Sequence, residues 1–480
     1  MIAGGVALSA GAAIAALIRV VSPIDAVGSE VIDRAPRWLK ELAISWFGTN
    51  DKLALRIGIV VILAIIAALV GPHRRASLIA FVALGVVGAL ASVHRPNESI
   101  GAVVPSLLGA TLGAVALHRW LRPRPIEVPS PSQAPLGWDR RRFLATSTAA
   151  TAAAAVAGVV ARRASQPAPP PAVDLATTLT VPDAATVSPV TPFITPNRDY
   201  YRIDTALSFP RVDLSRWKCT IDGLVDHPFS FGYDELLAMP RVERVITLCC
   251  VSNEVGGEYI GNAVWQGVPL ASLLERAGVQ NHAEQVFSTS LDGWTSGFPV
   301  KAALDGRDAM VAIGMNGEPL PLEHGFPARL VVPGLYGYVS ATKWLSRIEL
   351  TRWDREGYWI PRGWAQLAPV KTQSRIDVPR DGQQLTAGTQ KIAGVAWAQH
   401  RGVNGVEVKV DDGPWQPARL ATDVSDDAWR QWVIDWHATA GEHTIAVRAT
   451  DKTGATQTDE RTPVAPDGAT GHHTITVSVD

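Results

Sequence analysis

The run ITLCCVSNEVGGEYIGNAVWQGVPL (246–270) closes an apolar stretch with two adjacent cysteines, Cys249 and Cys250, followed at once by polar residues and a glycine pair. Neighbouring side chains of an extended chain point to opposite faces, so one cysteine can join the core while the other faces the loop. Cys249 is expected to be the structural one and Cys250 to face a site. A thiol there has three uses. It can be a small buried hydrophobe. It can be a nucleophile, which needs a base; His282 and His324 are the nearest histidines, and neither lies in a recognisable Cys-His enzyme signature. It can be a soft metal ligand, in which case one cysteine cannot hold zinc alone and an organic cofactor gripped elsewhere must supply most of the coordination. The chain's three cysteines (Cys219, Cys249, Cys250) show no CxxC or Cys/His zinc spacing and are too few for a disulfide framework, although one disulfide involving Cys219 stays open.

LCCVSNEVGG, then GNAVWQGVPLASLL, and later NGEPLPLEHGFPARLVVPGLYGYVSATKWLSRIEL (316–350) resemble the molybdopterin-binding domain of the sulfite oxidase family over roughly 195–365. Residues 366–480 are similar to that family's C-terminal dimerisation domain, which implies a homodimer. The family's Cys-x-x-Asn pattern falls on Cys250 and Asn253. The resemblance implies that Cys250 is the catalytic ligand to molybdenum, beside the two sulfurs of molybdopterin. It also implies cofactor contacts at Asn197, Tyr200 and Tyr201 (NRDYY), Asn253, Thr295 (LDGWTSG), His324 and Arg329 (HGFPAR), and Ser340, Thr342 and Lys343 (YVSATKW). The implied reaction is two-electron oxygen-atom transfer on a small-molecule substrate. Where sulfite oxidases carry arginines after the Cys-x-x-Asn pattern, this chain has Glu254 and Val255. A carboxylate there repels sulfite, which points to an uncharged oxygen donor or acceptor such as a sulfoxide. No CxxCH haem motif is present, so electrons must pass to or from a separate partner, a quinone enzyme or a cytochrome. The rival reading is a membrane-tethered binding module built on an inactive molybdopterin-type scaffold.

The elements that would position these residues are legible in outline. From 197 on, short β-branched runs (KCTIDGLV, RVITLCCV, RLVVPG) alternate with turn residues, and helical spacing recurs over 233–240 and 269–278. That is an α+β pattern over 197–365. After 366 only strand patterns remain, spaced as in an immunoglobulin-like β-sandwich over 366–480.

The N-terminal third is different in kind. Apolar runs at about 3–21, 57–72, 77–93, 101–118 and 144–161 lack a polar face and read as a bundle of transmembrane helices. Basic residues in GPHRRAS (71–77) and in 118–143 belong in the cytoplasm, which sends the last span outward and puts the rest of the chain on the extracytoplasmic side of the cell membrane. RRRFLATS (140–147) resembles a twin-arginine export signal, the route of domains that cross already folded. His73, His94 and His118 fall at predicted helix ends, which argues against bound haem. Residues 162–196, rich in Pro, Ala and Thr, are expected to be a semi-extended linker that lengthens the reach of the soluble part. A net charge of −1 offers no sign of a nucleic-acid partner.

Overall fold

The computed structural model describes residues 2–47, 50–71, 73–96, 98–120, 171 and 173–480, with scattered helical positions between 145 and 159. It divides into two compact units, Met1–Ala168 with Thr205–Pro210, and Pro169–Asp204 with Arg211–Asp480.

The first unit is helical: α1 (Ile2–Ile18), α2 (Pro23–Arg34), α3 (Arg37–Phe47), α4 (Asp51–Val70), α5 (Arg74–Val93) and α6 (Val104–Trp120). The stretches Asp51–Val70, Arg74–Val93 and Ile100–Arg119 are each 20 residues long, with hydropathies of 2.9, 2.3 and 2.0, and are long and apolar enough to cross a membrane. The run expected over 3–21 stops at Ile18. Arg19 turns left-handed (φ 58). The Ser22 hydroxyl then accepts from the Asp25 N–H (3.1 Å) and Pro23 opens a new helix bent by 93° from the first. That cap was readable as Ser-Pro-x-Asp, yet α2 and α3 were not foreseen. Glycine lets α1 and α6 meet closely, since a Cβ on Gly109 would lie 2.6 Å from the Ala7 carbonyl oxygen. The span expected at 144–161 falls largely outside the described residues, and Arg140, Arg141 and Arg142 fall wholly outside them.

The second unit begins with two sheets, one mixed and one wholly antiparallel. One has the order β2 (Phe229–Gly232), β1 (Lys218–Gly223), β10 (Leu345–Thr351), β5 (Gln285–Ser290), β6 (Thr295–Pro299), with β1 parallel to β10. The other runs β3 (Val242–Cys249), β4 (Ile260–Pro269), β7 (Met310–Met315), β8 (Glu318–Pro319), with β9 (Arg329–Val331) also paired to β7. Short helices at Tyr233–Ala238 and Leu270–Ala277 lie where helical spacing placed them; the second ends on Gly278, whose φ of 68 is the left-handed stop. This is the α+β arrangement expected.

Beyond it, only strands and turns follow. Strands β11 (Gln373–Val378), β13 (Gly388–Trp397), β17 (Arg430–Ala438) and β16 (Arg419–Leu420) make one sheet. Strands β12 (Gln384–Leu385), β19 (His473–Val479), β18 (Gly441–Asp451), β14 (Val403–Val410) and β15 (Gln416–Pro417) make the other. Alternate residues, among them Ile392, Val406, Trp432, Ile445, Ile475 and Val477, are buried in one core shared by the two sheets.

A second core joins this sandwich to the sheet that carries the cysteines, with Val245, Cys249 and Val264 packed among Val395, Trp397 and Trp429. The edge strand β3 is also bonded to it. Thr247 N–H donates to the Asp427 carbonyl (2.9 Å), its hydroxyl accepts from the Trp429 N–H (2.7 Å), and its carbonyl accepts from Gln399 Nε2 (3.1 Å). An open edge is thereby covered.

Residues 173–196 are extended, as their composition suggests, but they do not act as a free spacer. Leu175, Ala185 and Phe193 are buried. The Glu243 carboxylate accepts from the Thr178 and Leu179 amides (3.1 and 3.0 Å), and Val187 N–H donates to Gln431 Oε1 (2.6 Å). The apolar residues scattered through the stretch give it a surface to bury, and the segment lies as a strap on the second unit.

Candidate active site

Strand β3 delivers Cys249 into the second core, 2% exposed, and the next residue leaves the ladder. Cys219, Cys249 and Cys250 are all free thiols. Cys250 N–H still donates to the Tyr259 carbonyl (2.9 Å), so residues 251–258 form a loop closed at its base. Inside it the Ser252 N–H points at Cys250 Sγ (3.4 Å), Asn253 N–H donates to the Cys250 carbonyl (3.0 Å), and Asn253 Oδ1 accepts from the Tyr259 N–H (2.8 Å). Asn253 thus braces the loop from within, while its buried Nδ2 meets no hydrogen-bonding nitrogen or oxygen among the described residues. Burial pushes the Cys250 thiol up, and the Ser252 amide and the Lys343 charge pull it back.

Around the thiol stand donors and cations. Tyr200 is buried, gives its hydroxyl proton to the Gly261 carbonyl (2.9 Å), stacks on Tyr201 with centroids 5.3 Å apart, and meets the His324 ring edge-on at 5.4 Å. Arg329, 4% exposed, reaches only carbonyl oxygens, those of His324 (3.2 Å), Leu330 (3.3 Å) and Ala341 (3.5 Å), and lies 5.0 Å over the Trp265 ring. Among the described residues no carboxylate pairs with it. Lys343 is held by Asp204 (3.1 Å) and the Glu323 carbonyl (2.9 Å), and burial lowers it to about 8 against the pull of Asp204. Asn197 supplies the carbonyl that accepts from His324 Nε2 (3.0 Å), and its own side chain bonds Asn316 (2.8 Å).

The expected hydroxyl donors are placed differently. Ser340 gives its proton to the Tyr336 carbonyl one helical turn back (3.1 Å), and Thr342 joins Ser288 and Ser296 in a buried hydroxyl cluster (2.7 and 2.9 Å). Both hydroxyls are engaged within the protein. Thr295 opens β6, half-buried, opposite Thr289. Sequence reading missed Asp204, Trp265 and Asn316. Only Asn316 carried a signal: with Gly317 it forms the left-handed Asn-Gly turn (φ 54 and 80) that joins β7 to β8.

His324 is 1% exposed and its buried Nδ1 has no partner among the described residues. Burial first, then the Lys343 and Arg329 charges, lower its pKa to about 4 despite the bond to Asn197. The unfolded chain, titrating near ~6.5, therefore takes a proton that the folded chain refuses. The native state loses stability as pH falls through that window, on the order of 3 kcal/mol in total. Buried Asp427, raised by burial to about 6, works in the opposite direction but is common to both proteins in a comparison. His324→Gln, made in a host lacking the cofactor, should gain on wild type by about 5 °C in melting temperature between pH 7 and 4.5. A pH-independent gap between the two would contradict the neutral, buried imidazole.

This donor set fits an anionic, polar cofactor. A buried guanidinium bonded only to carbonyls is costly unless an anion arrives. The orphan His324 Nδ1 and Asn253 Nδ2 offer one acceptor and one donor to a heterocycle. Among the described residues no three His, Cys, Asp or Glu side chains are grouped to hold a metal, so a metal at Cys250 must bring its other ligands with it.

Comparison with known proteins agrees. Residues 206–359 match the model of the oxidoreductase molybdopterin binding domain. The chain is 38% identical over 152 residues to the uncharacterized oxidoreductase YuiH of Bacillus subtilis, covering 32% of this chain and 74% of that protein. It is 30% identical over 321 residues to human mitochondrial sulfite oxidase, covering 57% of this chain and 58% of the relative, so it spans little more than half of that protein's length. Among solved structures, the sulfane dehydrogenase SoxCD of Paracoccus pantotrophus matches with a TM-score of 0.51 at 25% identity, over 60% of this chain and 85% of that one. With the thiol, the unpaired cation and these relatives in agreement, the chain belongs to the sulfite oxidase family of molybdopterin oxidoreductases and is an oxidoreductase that binds a molybdopterin cofactor.

Proposed function

We propose that this protein is a membrane-anchored molybdenum oxidoreductase that performs two-electron oxygen-atom transfer on a small sulfur compound outside the cytoplasmic membrane. One observation carries the reading: the buried Cys250 thiol feels the charge of buried Lys343, which acts together with Arg329 on His324, so that a soft ligand and cationic donors belong to one group. Bound molybdenum supplies a metal that changes oxidation state by two electrons. The chain's own part is to hold it. Cys250 ligates the metal, Arg329 and Lys343 neutralise the cofactor's phosphate, and His324, Asn253, Tyr200 and Tyr201 orient and enclose the pterin. Asn197 shapes the pocket through its carbonyl and side chain, while Ser340 and Thr342, whose hydroxyls are bonded within the protein, brace the backbone behind it.

Similarity to a sulfite oxidase and to a sulfane dehydrogenase supports a sulfur-centred substrate. Glu254, exposed in the loop after Cys250, disfavours a small anion and favours an uncharged substrate such as a sulfoxide. Electrons pass to or from a separate partner, a quinone enzyme or a cytochrome. The three apolar 20-residue helices support anchoring, and the basic loops at 71–77 and 118–143 support placement of 197–480 on the far side. We assign 197–365 to the molybdopterin-binding domain and 366–480 to an immunoglobulin-like dimerisation domain, with RRRFLATS as a twin-arginine signal that delivers them folded.

Expression in a cofactor-competent host tests this in one preparation. About one molybdenum and one pterin per chain are expected in detergent-purified protein, with turnover of sulfoxides exceeding that of sulfite. Protease added to intact spheroplasts of the same cells should digest the soluble part. A chain without molybdenum, or one protected from protease, would overturn the cofactor reading or the location respectively.

A further inference from the structure

The loop that follows Cys250 is held from two directions, and only one of them belongs to the domain that bears the thiol. Its base is closed by Cys250, Asn253 and Tyr259 among themselves. Its tip, Gly256–Gly257, lies against the sandwich. Gly257 carbonyl accepts from Arg375 Nη1 on β11 (2.9 Å). Gly256, at φ 82, faces the His473 ring at the start of β19 so closely that a Cβ would collide with it. Gly257 is pressed in turn against Asn253 Oδ1, 2.7 Å from where its own Cβ would be, and that oxygen is the one bonded to Tyr259.

Both sandwich residues are themselves fixed. Arg375, 8% exposed, binds Asp377 through Nε (2.6 Å) and Thr191 through Nη2 (3.1 Å), so its fork has one arm left for the loop. His473 Nδ1 accepts from the Ile376 N–H (3.0 Å), which locks the ring that Gly256 meets. The two strands β11 and β19 thus aim one donor and one flat wall at two consecutive glycines. A buried arginine already paired with a carboxylate gains little stability from one further carbonyl. The contact has its effect on the loop, whose backbone carbonyl would otherwise be left unmatched in a confined place.

We infer that Arg375 and His473 are positioning residues of the active site: from the sandwich, they set the conformation of loop 251–258 and through it the direction of the Cys250 thiol and the Asn253 side chain. The inference rests on the reading of Cys250 as the metal ligand, but the loop's conformation can be measured without it. It gives the C-terminal sandwich a duty within its own chain, separate from any role in pairing two chains.

Hydrogen exchange on the full, cofactor-loaded chain reads the loop directly. Arg375→Met should raise exchange across 251–259 about tenfold, the change that loss of one charge-assisted bond brings. Thr191→Val removes the neighbouring bond of the same guanidinium but not the one to Gly257, and should leave exchange in 251–259 unchanged. On the same samples the visible absorption of thiolate-bound molybdenum should shift in Arg375→Met and not in Thr191→Val, and kcat should fall about tenfold with KM held.

The glycine contact is tested separately. Gly256→Ala should mobilise the loop, and His473→Ala in the same chain should restore part of its protection by removing the wall. If Arg375→Met is folded and loaded yet exchanges like wild type in 251–259, or if Thr191→Val mobilises the loop equally, Arg375 serves stability alone and the inference fails. Should Arg375→Met not fold, absence of rescue in the Gly256/His473 pair overturns the inference for His473. Molybdenum-free wild type would instead count against the reading of Cys250, leaving the exchange result to judge the clamp.

Discussion

Cys250→Ser should leave the protein folded and loaded but nearly inert. Serine is close to cysteine in volume, the site is 8% exposed, and the Ser252 N–H can donate to an oxygen as it does to Sγ, so the stability change should stay within about 1 kcal/mol. Pterin content should stay within about twofold of wild type, because the proposed phosphate contacts, Arg329 and Lys343, are left in place. Turnover is another matter. Changing a partner one shell beyond a metal already costs about 10–100-fold. Replacing the ligand itself by a hard hydroxyl that stays protonated at neutral pH should cut kcat by more than about a hundredfold. Cys249→Ser should give the reverse pattern, since that thiol is 2% exposed in the core shared with Val395 and Trp397. There a polar hydroxyl in apolar packing should cost about 1–2 kcal/mol of stability with turnover largely kept. The pair of variants tests whether adjacent cysteines divide structure and chemistry between the two faces of one strand. Turnover of Cys250→Ser within tenfold of wild type would remove the thiol from the mechanism.

The placement of the two side chains, one closing a strand and one opening the loop, was readable from the sequence because it needs only the period of an extended chain. Cys249 does close β3, and Cys250 does begin the loop. His324 and the cations Arg329 and Lys343 were readable as a motif, and they converge because β9 and the turn before β10 lie side by side: the Leu330 N–H bonds the Thr342 carbonyl at 2.9 Å. What the motif could not convey is partnership. Nothing in the sequence pairs Lys343 with Asp204, 139 positions away, or leaves Arg329 with carbonyls alone. Nor does local pattern distinguish a hydroxyl that faces a pocket from one like Thr342 that closes a cluster with Ser288 and Ser296. In the helical part, run length located α1, α4, α5 and α6, but α2 and α3, which follow the turn at Ser22–Pro23, interleave charged with apolar residues and offered no continuous run to find. The strap at 173–196 misled for a related reason: composition reports stiffness, whereas docking depends on where Leu175 and Phe193 find a surface.

The different partnerships of the two buried cations make a prediction with opposite signs. Arg329 has no carboxylate among the described residues, and burial lowers its affinity for a proton, with Tyr200 and Tyr201 acting against that. Removing an unpaired buried charge relieves a penalty, so cofactor-free Arg329→Met should melt at or above the wild-type temperature. The same change deletes the donor fork that a phosphate would engage, a loss of about 1.5–3 kcal/mol, and the fraction of chains carrying molybdenum and pterin should fall about 10–100-fold at limiting cofactor. Arg329→Lys should recover little of this, because a single ammonium cannot reproduce the bidentate geometry. Lys343→Met should lose on both counts, since it removes one of the cations that pair with Asp204, whose side chain is 7% exposed, and leaves that carboxylate to Arg202 (2.9 Å). Metal and pterin content per chain, set beside melting temperature in a cofactor-deficient host, separates the cases. An Arg329→Met protein that is less stable when empty and equally loaded when supplied would mean that the guanidinium supports the fold through the His324, Leu330 and Ala341 carbonyls and binds no anion.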